Sequence, residues 1–199
     1  MLPMSRSRAV FATLVAVLPS MGYAQDKLDS PIKTTVCELI RTPDHYNGKM
    51  VSIRGPILIA FEGFGVDTSH CEGNRIDVWL EYGSGPKRQP TTWCCGEMVP
   101  RDPLRVVQNN EFRKFHRYLT AQSRTSGCYE GQCYLYDMTA TLTGRFDAVE
   151  TMTCPDGKSR CPKGGGFGHF GLSPSRIVIE SVSDVVAKPI SPSVYEKNK

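Results

Sequence analysis

Residues 50–61 read MVSIRGPILIAF, and this stretch decides the fold. Val51, Ile53, Ile57, Ile59 and Phe61 occupy alternate positions, the period of a β-strand. Ser52 and Arg54 lie between them in the first half, whereas Leu58 and Ala60 make the second half apolar on both sides. Gly55-Pro56 separates the halves. A glycine inside a strand marks a bulge or bend, and a proline there needs an edge or a bulge. A long strand that bends and changes its surroundings in this way belongs at the corner of a small barrel.

Working outward, Glu62-Gly63 predicts a tight turn and residues 64–69 a second, weaker strand. Residues 76–82 (IDVWLEY) predict a third, with Ile76, Val78, Leu80 and Tyr82 on one face and Asp77, Trp79 and Glu81 on the other. A Gly- and Pro-rich loop spans 83–103. Residues 110–120 (NEFRKFHRYLT) predict a helix with Asn110 as N-cap and Phe112, Phe115 and Leu119 as its apolar stripe. Residues 134–146 (YLYDMTATLTGRF) alternate most cleanly of all, and 175–187 hold a fifth strand. Ahead of the first strand, 33–41 predict a short helix that Thr42-Pro43 ends.

Composition narrows the class. Apolar residues are 40% and charged residues 22%, a globular balance that excludes disorder and coiled coil. Arg6 and Arg8, the apolar run 9–18, and Gly22-Tyr23-Ala24 form the pattern of a signal peptide, with cleavage expected after Ala24. Ten apolar residues make only about 15 Å of helix, half a bilayer core. The expected organisation is a signal peptide at 1–24, one domain at 25–188 and a polar tail at 189–199. Loss of Arg6 and Arg8 lowers the formal charge from +4 to +2, which argues against a nucleic-acid partner. No later segment of the mature chain is apolar enough to span a membrane. The destination is periplasmic or extracellular.

All eight cysteines, Cys37, Cys71, Cys94, Cys95, Cys128, Cys133, Cys154 and Cys161, follow the signal pattern. An even count in an oxidising compartment implies disulfides. Short spacings pair Cys128 with Cys133 and Cys154 with Cys161. Adjacent Cys94 and Cys95 bridge each other only with strain, so each is expected to take Cys37 or Cys71. The competing use is zinc, with His45, His70, His116 and His169 as further ligands. The paired C-x2-C spacing of zinc ribbons and the C-x-x-C of redox proteins are both missing, so neither a metal nor another cofactor is expected.

The order of three strands, a helix and two strands, with a kinked first strand, resembles the OB-fold, a five-stranded, partly open Greek-key barrel. The opening YNGKMVSIRG (46–55) is similar to that of many OB-type domains. WLEYG (79–83), GFGHFG (166–171) and SRIVIESV (175–182) resemble uncharacterised secreted bacterial proteins of this type. The expectation is a mainly β, OB-like barrel with a helix between strands three and four, a short N-terminal helix and Cys-rich insertions. The resemblance brings no activity with it.

In OB-folds, ligands meet the second and third strands and the loops after strands one and four. The long loop after the fourth strand, about 149–174, makes Phe167, His169 and Phe170 candidate ligand contacts. Its GFGHFG is a literal G-x-G-x-x-G, but a strand follows where a dinucleotide site needs a helix N-terminus. Trp79 either stacks a ligand ring or packs under the N-terminal helix or the 83–103 loop, and Glu81 shares its face. Arg113, Lys114 and Arg117 form an ordinary solvated helix face. No G-x-S-x-G or H-E-x-x-H occurs and no catalytic residue is assigned. The first expectation is therefore an exported, disulfide-stabilised binding or interaction module for a protein or small molecule. The alternative is a secreted hydrolase or metal-dependent enzyme using His169 with Glu81. The chain isolated after export is expected to start at Gln25, with a mass eight hydrogens below the reduced value. Free thiols on alkylation would return the cysteines to metal or redox chemistry.

Overall fold

The computed structural model of the chain describes residues 30–60, 63–72, 78–83, 104–123, 136–157 and 159–190. The signal pattern, Cys94, Cys95, Cys128 and Cys133 lie outside them. Strand β1 (Ile32–Thr34) leads into helices α1 (Val36–Arg41) and α2 (Pro43–Tyr46), then strands β2 (Met50–Ala60), β3 (Gly63–Val66) and β4 (Val78–Tyr82). Helix α3 (Asn110–Ser123) precedes β5 (Tyr136–Ala148), the hairpin β6 (Thr151–Thr153) and β7 (Arg160–Pro162), and β8 (Ser175–Pro189).

Strand β2 serves two partners. Met50 to Pro56 pair antiparallel with β5, and Ile57 to Ala60 pair with β3. The switch falls at Gly55-Pro56, where the sequence predicts a corner. The order β2-β3-β4-β8-β5 then closes on β2, with β4 and β8 parallel and the other pairs antiparallel. This is a closed five-stranded OB-type barrel with a helix between its third and fourth strands. Strand β1, which periodicity does not reveal, adds parallel to the first half of β2. At three residues it is too short to show an alternation.

Where the structure describes them, period-2 positions point inward as expected, while Phe61 and Ile76 lie outside the described residues. Val51, Ile53, Ile57, Phe64, Leu80, Leu142, Phe146 and Ile177 are buried in one continuous core. Phe112, Phe115 and Leu119 of α3 join it at one rim, and Val36, Leu39 and Tyr46 of α1 and α2 at the other. Helix α3 is capped by Asn109 rather than Asn110: Asn109 Oδ1 accepts from Phe112 N at 2.8 Å. Both residues can cap, and Asn110 instead forms the first residue of the helix. Helix α1 is capped by Thr35, whose side chain accepts from Glu38 N. Thr42-Pro43 ends it as expected, and α2 restarts with Pro43 in its first turn, where a missing N–H costs nothing.

The disulfides need one correction. Cys37 bonds to Cys71, with Cα atoms 5.2 Å apart, so neither takes Cys94 or Cys95. Barrel closure brings the segment after β3 onto α1, a long-range contact that spacing does not report. Cys154 pairs with Cys161 as expected and staples the end of the β6–β7 hairpin. The expected Cys128–Cys133 pair lies outside the described residues. Among those residues no helix is long and apolar enough to cross a membrane.

Gly144 sits at a register shift between β5 and β8, and a Cβ there would run into the Val178 carbonyl. Gly144→Val is expected to cost more than about 3 kcal/mol and to abolish the cooperative urea transition. Tyr82 is 5% exposed, and burial pushes its phenol far up, so it stays neutral. Its hydroxyl has no hydrogen-bond partner among the described residues. Tyr82→Phe is therefore expected to leave stability unchanged or raise it by up to about 1 kcal/mol; a large loss would reveal a partner for that hydroxyl.

Candidate functional site

The outward faces of β4, β8 and β5 form a small grid. Trp79, Arg176 and Asp147 lie side by side across three strands, and Glu81, Val178 and Arg145 form the next row. On an exposed sheet these side chains would meet water. Here Trp79 is 6% exposed, Glu81 4% and Val178 0%.

Four charges in the grid compensate one another. Arg176 Nη1 donates to Glu81 Oε2 at 2.8 Å, and Arg176 Nε donates to Asp147 Oδ2 at 2.8 Å. Arg145 completes the network, donating through Nε to Asp147 Oδ1 at 2.7 Å and through Nη2 to Asp147 Oδ2 at 2.9 Å. Two carboxylates face two guanidiniums, and paired, hydrogen-bonded charges are the kind that tolerate burial. Burial alone would raise the Asp147 carboxyl. Hydrogen bonds and charge from Arg145 and Arg176 outweigh it and hold the group below the ordinary carboxylate value.

The cover over this grid is the loop 164–171. Phe167 lies under the Arg176 guanidinium, 4.5 Å from its carbon, an aromatic-cation contact. Gly168 rests on Trp79, and a Cβ at Gly168 would overlap the indole ring. Gly168 also has φ +70°, so its place against the ring depends on having no side chain. The loop is pinned by paired backbone bonds between Phe167 and Ser173 and by Gly166 N donating to Gly171 O.

The structure thus brings all five predicted contact residues into one region and gives them different duties. Trp79 packs, with Gly168 of the 164–171 loop resting on its ring; the expected 83–103 loop lies beyond Gly83 outside the described residues. Glu81 is committed to Arg176, which leaves it poorly placed as the base that the hydrolase alternative requires. Phe167 anchors the loop, and His169 begins a single 3-10 turn, 169–171. Phe170 follows at φ 53° and is 81% exposed. Leu172 beside it is 66% exposed.

Sequence reasoning missed Arg145, Asp147 and Arg176. Their signal was an Arg and an Asp two apart on the outward face of β5, opposite an Arg set inside the apolar run of β8. The Cys37, His70 and Cys71 ligand atoms lie within 4.8 Å of one another, but the disulfide occupies both sulfurs and leaves His70 alone. Comparison with known proteins finds no matching family model, no matching curated protein and no matching solved structure.

Asp147→Asn is expected to destabilise the barrel by about 2–3 kcal/mol, below the 3–5 typical of a fully buried pair because the site is partly wet. Because the folded carboxyl titrates below its unfolded value, the contribution is complete above about pH 4 and disappears as pH falls through the folded value. Urea unfolding of the two proteins should differ at pH 7 and converge in acid. Equal differences at both pH values would show that the pairing energy is not carried by the ionised carboxylate.

Proposed function

We propose that this protein is an exported, disulfide-stapled binding module that docks a partner protein through the tip of the 164–171 loop. One observation carries the reading: Phe170 is 81% exposed and sits at positive φ, 53°. A large non-glycine residue in the left-handed region is costly, and apart from an edge contact with the His169 ring the Phe170 phenyl is open to water. The loop beneath it is anchored by Phe167 on Arg176 and by Gly168 on Trp79, so the ring is presented on a rigid support. Preorganised aromatic anchors of this kind dominate protein interfaces.

A ring exposed to this degree favours a protein partner over a small molecule, because small molecules need a concave site to be enclosed. Export is supported by the Cys37–Cys71 and Cys154–Cys161 disulfides together with the basic, apolar and small-residue pattern of residues 6–24. Cleavage after Ala24 and a periplasmic or extracellular location belong to the same proposal.

The test is site-specific photo-crosslinking in the exporting cell. A benzophenone amino acid at position 170 is expected to give one dominant protein adduct, and the same group at Val186, exposed on β8, to give none. Phe170→Ala should weaken binding of the captured partner by about thirtyfold or more while changing stability by less than about 0.5 kcal/mol. Adducts of equal yield at both positions, or full binding by the variant, would sink the assignment of the tip.

A further inference from the structure

The rim of the barrel opposite α3 holds a cavity of about 350 Å³, and it shares no residue with the 164–171 loop. Ile40 on α1, Pro43 on α2, Val149 after β5 and Pro174 before β8 give it apolar walls. Arg41, Arg160 and Glu72 lie around it. Its volume falls at the lower end of small-molecule sites, which run from about 300 to 1,000 Å³. We infer that this cavity is a binding site for a small organic anion, a carboxylate carrying a short apolar chain.

Both guanidiniums are held in place and keep a donor to spare. Arg160 donates through Nε and Nη2 to Thr151 Oγ1, at 3.1 and 2.7 Å, and through Nη2 to the Thr151 carbonyl at 3.2 Å. Arg41 donates through Nε and Nη2 to the Glu38 carboxylate. The Nη1 group of each has no recorded partner among the described residues. Two guanidinium groups from separate elements over apolar walls match a carboxylate head and a hydrocarbon tail, since arginine recognises carboxylates through paired, charge-assisted bonds. Glu72 and Arg41 are both exposed, so water screens both charges and the less exposed Arg160 is the principal anchor.

Both staples frame the same cavity. Cys37 lies on α1 with Ile40 and Arg41, and its partner Cys71 precedes Glu72. Cys161 follows Arg160, and its bond to Cys154 closes the hairpin that carries Thr151 and Arg160. The walls are thereby cross-linked in advance, which lowers the ordering cost of binding. A purely structural account of the disulfides explains their stabilising role. It does not explain why two of them converge on a cavity lined by arginines.

The probe is hexanoate, titrated into the full chain as exported with its disulfides intact and followed by amide NMR. Saturable shifts are expected at residues 148–151, 160 and 175, with a Kd at or below about 1 mM. Hexanamide, which keeps the chain and removes the charge, should bind at least about tenfold more weakly. Arg160→Gln should weaken hexanoate by about tenfold, and Arg41→Gln, whose side chain is 73% exposed and holds nothing in the core, by about fivefold. The Arg41 variant keeps the test decisive if the Arg160 hairpin loosens. The inference fails if hexanoate up to about 10 mM gives no saturable shift, if hexanamide binds equally well, or if the shifts fall on residues 166–172 instead. Failure here leaves the Phe170 docking surface untouched, because the two sites share no side chain.

Discussion

A five-stranded sheet closes on itself only if one strand can be paired on both edges along its length. Strand β2 meets this demand by changing partners at Gly55-Pro56, with β5 on one side before the step and β3 on the other side after it. The proline has no N–H to donate, so the ladder is already interrupted there, and its carbonyl still accepts from Asp67 N at 3.0 Å. Everything else hangs from that corner. The inward alternation of β2 defines the core, the closure brings the end of β3 onto α1, and the rims take shape where the helices cover them.

Closure also sets the outer surface. The parallel pairing of β4 with β8 puts Trp79 beside Arg176, and the antiparallel pairing of β5 with β8 puts Asp147 beside the same arginine. One guanidinium then serves carboxylates from two neighbouring strands. A charged grid of this kind would be unremarkable in water. Covered by Phe167 and Gly168 it becomes a half-buried network, whose pairing is what makes the partial burial tolerable. The grid in turn supports the loop that lifts Phe170 into solvent.

Much of the fold was legible before the structure, because strand and helix periods are local. The strands at 50–60, 78–82, 136–148 and 175–189 and the helix beginning at 110 all announce themselves through alternation or a stripe. Short elements do not. Strand β1 and the β6–β7 hairpin have three residues per strand, fewer than any period can establish, and they exist because a longer neighbour or a disulfide holds them. The candidate site was half legible. Trp79, Glu81, Phe167, His169 and Phe170 could be singled out by residue type and position. Arg145, Asp147 and Arg176 carried only the faint mark of charges set in apolar strands, since a surface arginine and a networked one look alike in a sequence.

What the sequence determined by itself is therefore the set of elements, the side of each that faces the core, and the local Cys154–Cys161 clasp. These depend on residues close together in the chain. The tertiary structure alone decided that Cys37 meets Cys71, that Gly168 of the 164–171 loop rests on Trp79, and that a cavity opens between α1 and the hairpin. Each of these joins segments tens of residues apart. Their meeting is fixed by strand register and barrel closure, and no local pattern carries that information.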